Sequence, residues 1–223
     1  MNLWGPIWLT LQLAGLTTVI LLLIAIPIAW WLANTTSRIR PAIEALTALP
    51  LVLPPTVLGF YLLILMSPQS TIGGAWVRLT GEALTFSFTG LVIASLFYSL
   101  PFAVQPLQGA FQSVGSGMME VAATLGASRW DAFRSVALPL SRRGLLTAGV
   151  LTFAHTMGEF GVVLMVGGNI PGRTRLISIE IYSAVETLDY RTAHVLSGGL
   201  LVFSFVVLTA VYLMNQRGVR AGV

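Results

Sequence analysis

The chain has 223 residues, of which 56% are hydrophobic and only 9% are charged. A soluble domain carries about 25% charged residues, so this composition predicts one membrane-embedded domain over residues 1–223. All twelve basic residues are Arg, and they are scattered along the chain, which argues against the clustered basic face that nucleic-acid binding requires. The sequence contains no Cys, which excludes disulfides, thiolate metal sites and a cysteine nucleophile.

Five apolar stretches are each long enough to cross a bilayer, for which a helix needs about 20 residues. In chain order they are Ile7–Ala33, Leu46–Met66, Phe86–Leu107, Leu145–Val166 and Val195–Met214. A membrane barrel would show short alternating strands instead. The expected fold class is therefore an all-α integral membrane protein with about five transmembrane helices.

The arginines predict the orientation of these spans. Eight follow the first, third or fifth span, namely Arg38, Arg40, Arg129, Arg134, Arg142, Arg143, Arg217 and Arg220. Four lie on the opposite side: Arg78, Arg173, Arg175 and Arg191. Because cytoplasmic loops are enriched in Arg, the first group is expected to be cytoplasmic. The N-terminus is then expected outside and the C-terminus inside.

Prolines interrupt the first three spans. Pro27 lies in the first, Pro50, Pro54 and Pro55 in the second, and Pro101 and Pro106 in the third. Proline is common in membrane helices, but broken backbone at membrane depth persists only where protein or a water-filled cavity satisfies it. We therefore predict that Pro54 and Pro55 shape a pathway, a gate or an interface.

The segment 109–144, between the third and fourth spans, is too polar to span and carries helix signals in two pieces. Apolar residues at helical spacing predict a first helix over Met118–Leu125. Gly126 follows as an elbow, Ser128 and Asp131 have capping-box spacing, and the second helix is expected to stop at Pro139. Its apolar residues are Trp130, Phe133, Val136 and Ala137. Periodicity alone leaves open whether the apolar faces cover the chain's own spans, the bilayer surface or a partner.

The same segment resembles the signature of the membrane subunits of bacterial ABC importers: E-A-A, three residues, G, nine residues, I-x-L-P. The matching residues are Glu120, Val121, Ala122, Gly126, Val136, Leu138 and Pro139, with Val121 in place of the first Ala and Val136 in place of Ile. The resemblance implies an importer permease (MetI-like) fold in which 109–144 is a cytoplasmic coupling loop. It also implies that this loop docks on an ATP-hydrolysing subunit.

The chain itself is not expected to hydrolyse ATP. A P-loop needs a Lys that reaches the phosphates, and this sequence contains none. We therefore expect no cofactor bound by this chain and no catalytic residue in it. ATP and Mg²⁺ would be bound by the partner ATPase.

Further stretches resemble the molybdate permease branch of these importers. They are Leu49–Pro55 with Gly59, Met157–Gly161, and Gly168–Arg175. The resemblance implies a bacterial inner-membrane location, a homodimer of permease chains, two cytoplasmic ATPase subunits and a periplasmic oxyanion-binding protein. Sulfate, thiosulfate and tungstate permeases share part of these stretches and remain alternatives.

Two ionisable residues, His155 and Glu159, fall inside the predicted spans, where such residues are functional candidates. Their spacing of four predicts one shared helix face, but two ligands do not close a metal site, so no metal is expected. An ionised carboxylate would repel an anionic cargo, so Glu159 is expected to be uncharged or tied to neighbouring helices. The sequence leaves two roles open for Glu159: a structural or gating role, and a role in the passage of the cargo.

Two other classes of membrane protein are disfavoured. An intramembrane enzyme needs a nucleophile–base or metal constellation, and a secondary transporter is expected to show inverted repeats and midplane charges. Neither pattern is evident, and the coupling segment would have no purpose in either class.

Overall fold

The computed structural model describes residues 3–220, with side chains as far as Leu213, and all regular secondary structure in that range is helical. The helices are α1 (Trp4–Asn34), α2 (Arg40–Val52), α3 (Pro55–Met66), α4 (Thr71–Thr80), α5 (Phe88–Tyr98), α6 (Leu100–Thr124), α7 (Arg129–Ala132), α8 (Leu138–Leu140), α9 (Arg142–Met157), α10 (Gly161–Gly167), α11 (Ile177–Glu186) and α12 (Tyr190–Arg220). A π-helical turn, Phe133–Ala137, joins α7 to α8.

Two helices are long and apolar enough to cross a membrane without interruption, α1 and the Tyr190–Leu213 part of α12. They confirm the first and fifth predicted spans. The buried residues of α1 recur every three or four positions, from Leu13 through Leu21, Ala25 and Ala29 to Leu32, so one face of this helix packs into the protein. Its other faces are also apolar, which suits contact with lipid.

The other three predicted spans are bent pairs rather than single helices. The chain turns by 110° between α2 and α3, by 41° between α5 and α6, and by 61° between α9 and α10. Counting each pair once gives the expected five crossings. The breaks in Leu46–Met66 and Phe86–Leu107 agree with the interruptions that their prolines predicted. The break in Leu145–Val166 was not predicted, and Pro27, expected to interrupt the first span, lies inside the unbroken helix α1.

The core forms where α1, α6 and α9 pack together. Leu21, Leu32, Val104, Leu107 and Phe111 are all essentially buried in this cluster. A second layer forms where α10 packs on α3 and α5, around Leu62, Val162 and Val166. The packing of α10 against α3 and α5 brings the three bends together.

The predicted outer loop after the fourth span is more ordered than its sequence suggested. It contains α11, which packs against α12 and α1. The backbone N–H of Ile177 donates to the buried Thr10 hydroxyl of α1 at 2.9 Å. This bond fixes the start of α11, which the sequence interpretation did not predict.

Candidate functional site

The three helix bends meet at one place in the protein. Pro55, the first residue of α3, lies against Gly161, the first residue of α10, so closely that a Cβ on Gly161 would come within 2.8 Å of the Pro55 Cβ. Ser99, the residue between α5 and α6, reaches Glu159 in the break between α9 and α10. The breaks of three spans therefore form one junction.

Glu159 lies at the centre of this junction and is only 2% exposed. The Ser95 hydroxyl donates to its Oε2 at 2.5 Å, and the Ser99 hydroxyl donates to its Oε1 at 3.2 Å. Ser99 is also hydrogen-bonded to the Thr156 hydroxyl at 2.9 Å. The Ser178 hydroxyl of α11 donates to the backbone carbonyl of Glu159. The hydrogen bonds around Glu159 therefore connect the α5–α6 bend, the end of α9 and α11.

His155 and Glu159 do not share a helix face, and that expectation is wrong. Helix α9 ends at Met157, so Glu159 lies outside it and its side chain turns toward α5. The imidazole of His155 stacks on Phe102, with ring centroids 3.8 Å apart, and contacts Tyr98 at 5.0 Å. His155 is therefore part of an aromatic contact between α9 and the α5–α6 span.

Gly158 and Gly161 flank Glu159, and small residues at such positions can admit a neighbouring helix. Gly161 does, because its missing side chain makes room for Pro55. Gly158 does not: a Cβ there would meet only the chain's own backbone, at 3.7 Å. Gly59 of α3 makes the second close approach to α10, where a Cβ would come within 2.9 Å of the Met165 Cβ. Small residues thus allow α3 and α10 to pack tightly.

The junction is partly open to the outside of the single chain. Pro54 and Gly158 are exposed, while Glu159 between the helices is buried. Pro54 and Pro55 lie at the 110° turn between α2 and α3, and their role in a pathway, a gate or an interface stays a prediction.

The predicted coupling segment has the expected two pieces. Within α6 the helix is interrupted at Gly115, where φ is 74° and ψ is 157°, and the helical part beyond it ends at Thr124. Gly126 then takes φ of 84°, a left-handed conformation that glycine adopts without the clash a Cβ would introduce. The Gly126 elbow is therefore confirmed as a backbone feature.

The second piece begins with the predicted cap. The Ser128 hydroxyl accepts from the Asp131 N–H at 3.2 Å, and the Asp131 carboxylate accepts from the Ser128 N–H at 3.3 Å. The expected stop at Pro139 is corrected, because the helical path continues to Leu140 through the π-helical turn. That wider turn bonds the Leu138 N–H to the Phe133 carbonyl and precedes the proline, which cannot continue an α-helical ladder.

The apolar residues of this segment divide into an exposed set and a buried set. Val121, Leu125 and Trp130 are exposed. Phe133 is buried, and its ring lies 4.9 Å from that of Trp30 in α1. Ala137 is buried in the same core. Of the alternatives that periodicity left open, Phe133 therefore covers the chain's own spans, and its ring attaches the segment to them.

The remaining signature residues lie on both sides of this attachment. Glu120 and Pro139 are exposed, Ala122 is buried, and Val136 and Leu138 are half-buried. The segment thus presents part of the signature to its surroundings and uses the rest for internal packing.

The loop Gly168–Arg175, which was predicted to lie on the outer side, is held by hydrogen bonds of its own side chains. The Arg175 guanidinium donates to Asn169 Oδ1 at 2.6 Å and pairs with Glu180 at 3.4 Å, and the Asn169 amide donates to Ser183 at 2.9 Å. Glu180 is buried and was missed by the sequence interpretation, because α11 was not predicted. Its signal would have been a carboxylate five residues after an arginine in an apolar run.

Neither the junction, the segment around Gly126 nor the loop Gly168–Arg175 contains a cluster of metal-ligating side chains, as far as the structure describes them. Among the side chains the structure describes, no three His, Asp or Glu residues lie together in a way that could hold a metal ion.

The structure thus combines three broken pairs of apolar helices, one hydrogen-bonded junction between them, and an exposed helical segment around Gly126. The fold matches a chain of a bacterial alginate ABC transporter crystallised with an alginate-bound periplasmic protein, with a TM-score of 0.76 and 18% identity over 97% of this chain and 79% of that one. At this identity the match establishes the fold.

The chain belongs to the family of binding-protein-dependent transport system inner membrane components, whose family model matches residues 25–219. It is 57% identical to the molybdenum transport system permease protein ModB of Azotobacter vinelandii, over 98% of this chain and 96% of that protein. It is 35% identical to the ModB of Escherichia coli strain K12, over 82% and 80% respectively. The chain is therefore a multi-pass membrane permease of the ABC importer type.

Proposed function

We propose that this chain is the permease subunit through which a tetrahedral oxyanion, molybdate, enters the cytoplasm. The observation that carries the proposal is the 57% identity over nearly the full chain to a molybdenum permease. Nothing in the sequence or in the site geometry favours sulfate, thiosulfate or tungstate over molybdate.

The working assembly in this proposal has two permease chains, two cytoplasmic ATPase subunits and one periplasmic oxyanion-binding protein. ATP and Mg²⁺ are bound by the ATPase subunits, because no Lys is present in this chain to form a P-loop. The permease contributes the pathway and no catalytic site. Its N-terminus is periplasmic and its C-terminus cytoplasmic, as the distribution of arginines predicts.

The segment 109–144 docks on the ATPase in this proposal. Support comes from its exposed apolar tip, where Leu125 is 83% exposed and Trp130 is 65% exposed in the single chain. Such residues on a polar loop mark a surface that a partner covers. Trp130 stacks at 5.5 Å on Phe133, which in turn contacts Trp30 of α1. A displacement of this tip by the ATPase would therefore be transmitted to α1 through the ring contacts of Trp130 with Phe133 and of Phe133 with Trp30.

The helix junction serves as the gate region. Pro54 and the backbone at Gly158 are exposed in the single chain, which suits a position facing the second copy and the pathway between them. Glu159 braces the junction from inside and does not contact the anion, since serine hydroxyls donate to both of its carboxylate oxygens.

The test is ATP-dependent uptake in proteoliposomes that contain the permease with its ATPase and the binding protein. Labelled molybdate is the substrate, and tungstate and sulfate are added as competitors. We expect uptake that needs ATP and that a tenfold excess of sulfate does not suppress. Uptake that sulfate abolishes would overturn the choice of molybdate, and uptake without the ATPase would overturn the assembly.

A further inference from the structure

An apolar groove follows the membrane-facing side of the protein between the beginning of α1 and the first half of α12. It encloses about 330 Å³. Ten residues line it, none with a polar side chain, among them Ile7 and Leu11 of α1 and Leu196, Gly199 and Phe203 of α12. A groove of this size and lining fits an extended hydrocarbon chain better than any polar ligand.

The groove continues at one end into a polar cavity of about 450 Å³. The two share Leu3 and Val195, so they form one continuous site. The polar cavity adds Asp189, Arg191 and Thr192, which belong to the first turn of α12 and the residue before it. The site therefore has an apolar body and a charged end.

The charged end lies at the level where a membrane meets water. Trp4 and Trp8, at the start of α1, are 77% and 62% exposed, and Tyr190, at the start of α12, is also exposed. Exposed Trp and Tyr at helix ends are typical of the lipid headgroup region. The apolar groove then runs from this level into the hydrocarbon.

The two charges have opposite sign and suit two groups of one headgroup. The Arg191 guanidinium is exposed and matches a phosphate, to which it can donate two parallel hydrogen bonds. The Asp189 carboxylate accepts from the Thr192 N–H at 3.2 Å. Hydrogen bonds from the Thr192 side chain and backbone, with the nearby charge of Arg191, lower the pKa of Asp189. Asp189 is therefore ionised at neutral pH and attracts a cation.

We propose that this continuous site binds one phospholipid whose headgroup carries a primary ammonium, as ethanolamine lipids do. The phosphate lies on Arg191, the ammonium on Asp189, and one acyl chain in the groove between α1 and α12. A glycerol headgroup has no cation to offer Asp189. A choline headgroup has a cation but no N–H to donate. Of these three headgroups, only ethanolamine satisfies both charges with hydrogen bonds.

The experiment is native mass spectrometry of the purified transporter with added phosphatidylethanolamine, phosphatidylglycerol or phosphatidylcholine. Gly199→Leu fills the groove, and Gly198→Leu is its matched control on the same helix, outside the groove lining. A Cβ at either position meets nothing within 4 Å, so both variants can fold. We expect Gly199→Leu to lose the retained lipid and Gly198→Leu to keep it. Equal retention in both would overturn the site.

The headgroup assignment has its own test. Asp189→Asn removes the charge and keeps a residue that caps a helix equally well. We expect the preference for the ethanolamine lipid over the glycerol lipid to fall by about two- to fivefold, the effect of one exposed ion pair. We expect Arg191→Gln to weaken binding of both lipids. An unchanged preference in Asp189→Asn would overturn the assignment.

The competing occupant is a second permease chain. A single Cys placed at position 199 in this Cys-free sequence tests it by oxidative cross-linking. Absence of cross-linked dimer together with lipid retention supports the proposal. A cross-link between two copies at this position would overturn it. None of these measurements depends on which anion is transported.

Discussion

Replacement of Glu159 tests what the junction of three broken helices requires from this residue. Either its hydrogen bonds hold the helices together, which is its bracing role, or its negative charge is needed. In Glu159→Ala the Ser99 hydroxyl keeps Thr156 as a partner, but the Ser95 hydroxyl loses the carboxylate 2.5 Å away. Leaving one buried hydroxyl unsatisfied costs about 1–3 kcal/mol, and the missing side chain adds a cavity where α9, α10 and α5 meet. We expect a lower melting temperature and loss of uptake.

Glu159→Gln keeps the volume of the side chain and its hydrogen-bonding capacity. The amide nitrogen can donate to the Ser95 oxygen, since a hydroxyl can reverse its role from donor to acceptor. If the residue acts as a brace, we expect Glu159→Gln to retain most of the uptake and nearly the wild-type melting temperature. The assays are ATP-dependent uptake in proteoliposomes and thermal unfolding of the same preparations.

A double-mutant cycle with Ser95→Ala gives the energy of the contact itself. Hydrogen bonds between helices in membranes average about 0.6 kcal/mol and reach about 1.7 kcal/mol, whereas a bond to an ionised group contributes about 1.5–3 kcal/mol. A coupling energy below about 1.5 kcal/mol favours an uncharged brace. A Glu159→Gln protein that is stable but does not transport would refute the bracing argument, because it would show that function needs the charge.

Three further predictions concern the coupling segment and its packing. Gly126→Val forces a β-branched residue to φ of 84°, a strain of roughly 1–2 kcal/mol, so we expect ATP hydrolysis to continue while uptake falls. A Cys at Leu125, but not one at Phe133, should lose cytoplasmic labelling when the ATPase binds, because only Leu125 is exposed in the free chain. Gly144→Ala places a Cβ within 2.2 Å of a side chain on α6 and should lower the melting temperature, whereas Gly149→Ala, with its nearest contact at 3.5 Å, should not.

Each of these has a result that would contradict it. Wild-type uptake by Gly126→Val would show that the elbow is not needed for coupling. Equal labelling at position 125 with and without the ATPase would place the docking surface elsewhere. Equal melting temperatures for the two alanine variants would mean that α6 and α9 are not packed as closely as Gly144 indicates.

The sequence determined the features that depend on neighbouring residues. Length and hydropathy alone fix α1 and the apolar part of α12, since about 20 apolar residues suffice for a span. The capping box of Ser128 and Asp131 and the left-handed Gly126 were predicted because a cap and a tight elbow depend on residues a few positions apart. The signature in 109–144 identified the family for the same reason, since its spacing is local.

Only the tertiary structure decided which prolines accompany a break, that the fourth span breaks without one, and what holds the breaks together. The stretch Leu145–Val166 contains no Pro, so its sequence hides the bend at which Glu159 leaves the helix. That bend is fixed by Ser95 and Ser99, which are 64 and 60 residues away in sequence. Helical periodicity likewise predicted which side of its helix Phe133 occupies, but not whether that side faces inward. It faces inward because Phe133 packs against the rings of Trp30 in α1 and Phe111 in α6. Contacts between distant segments carry this information, and no local pattern encodes them.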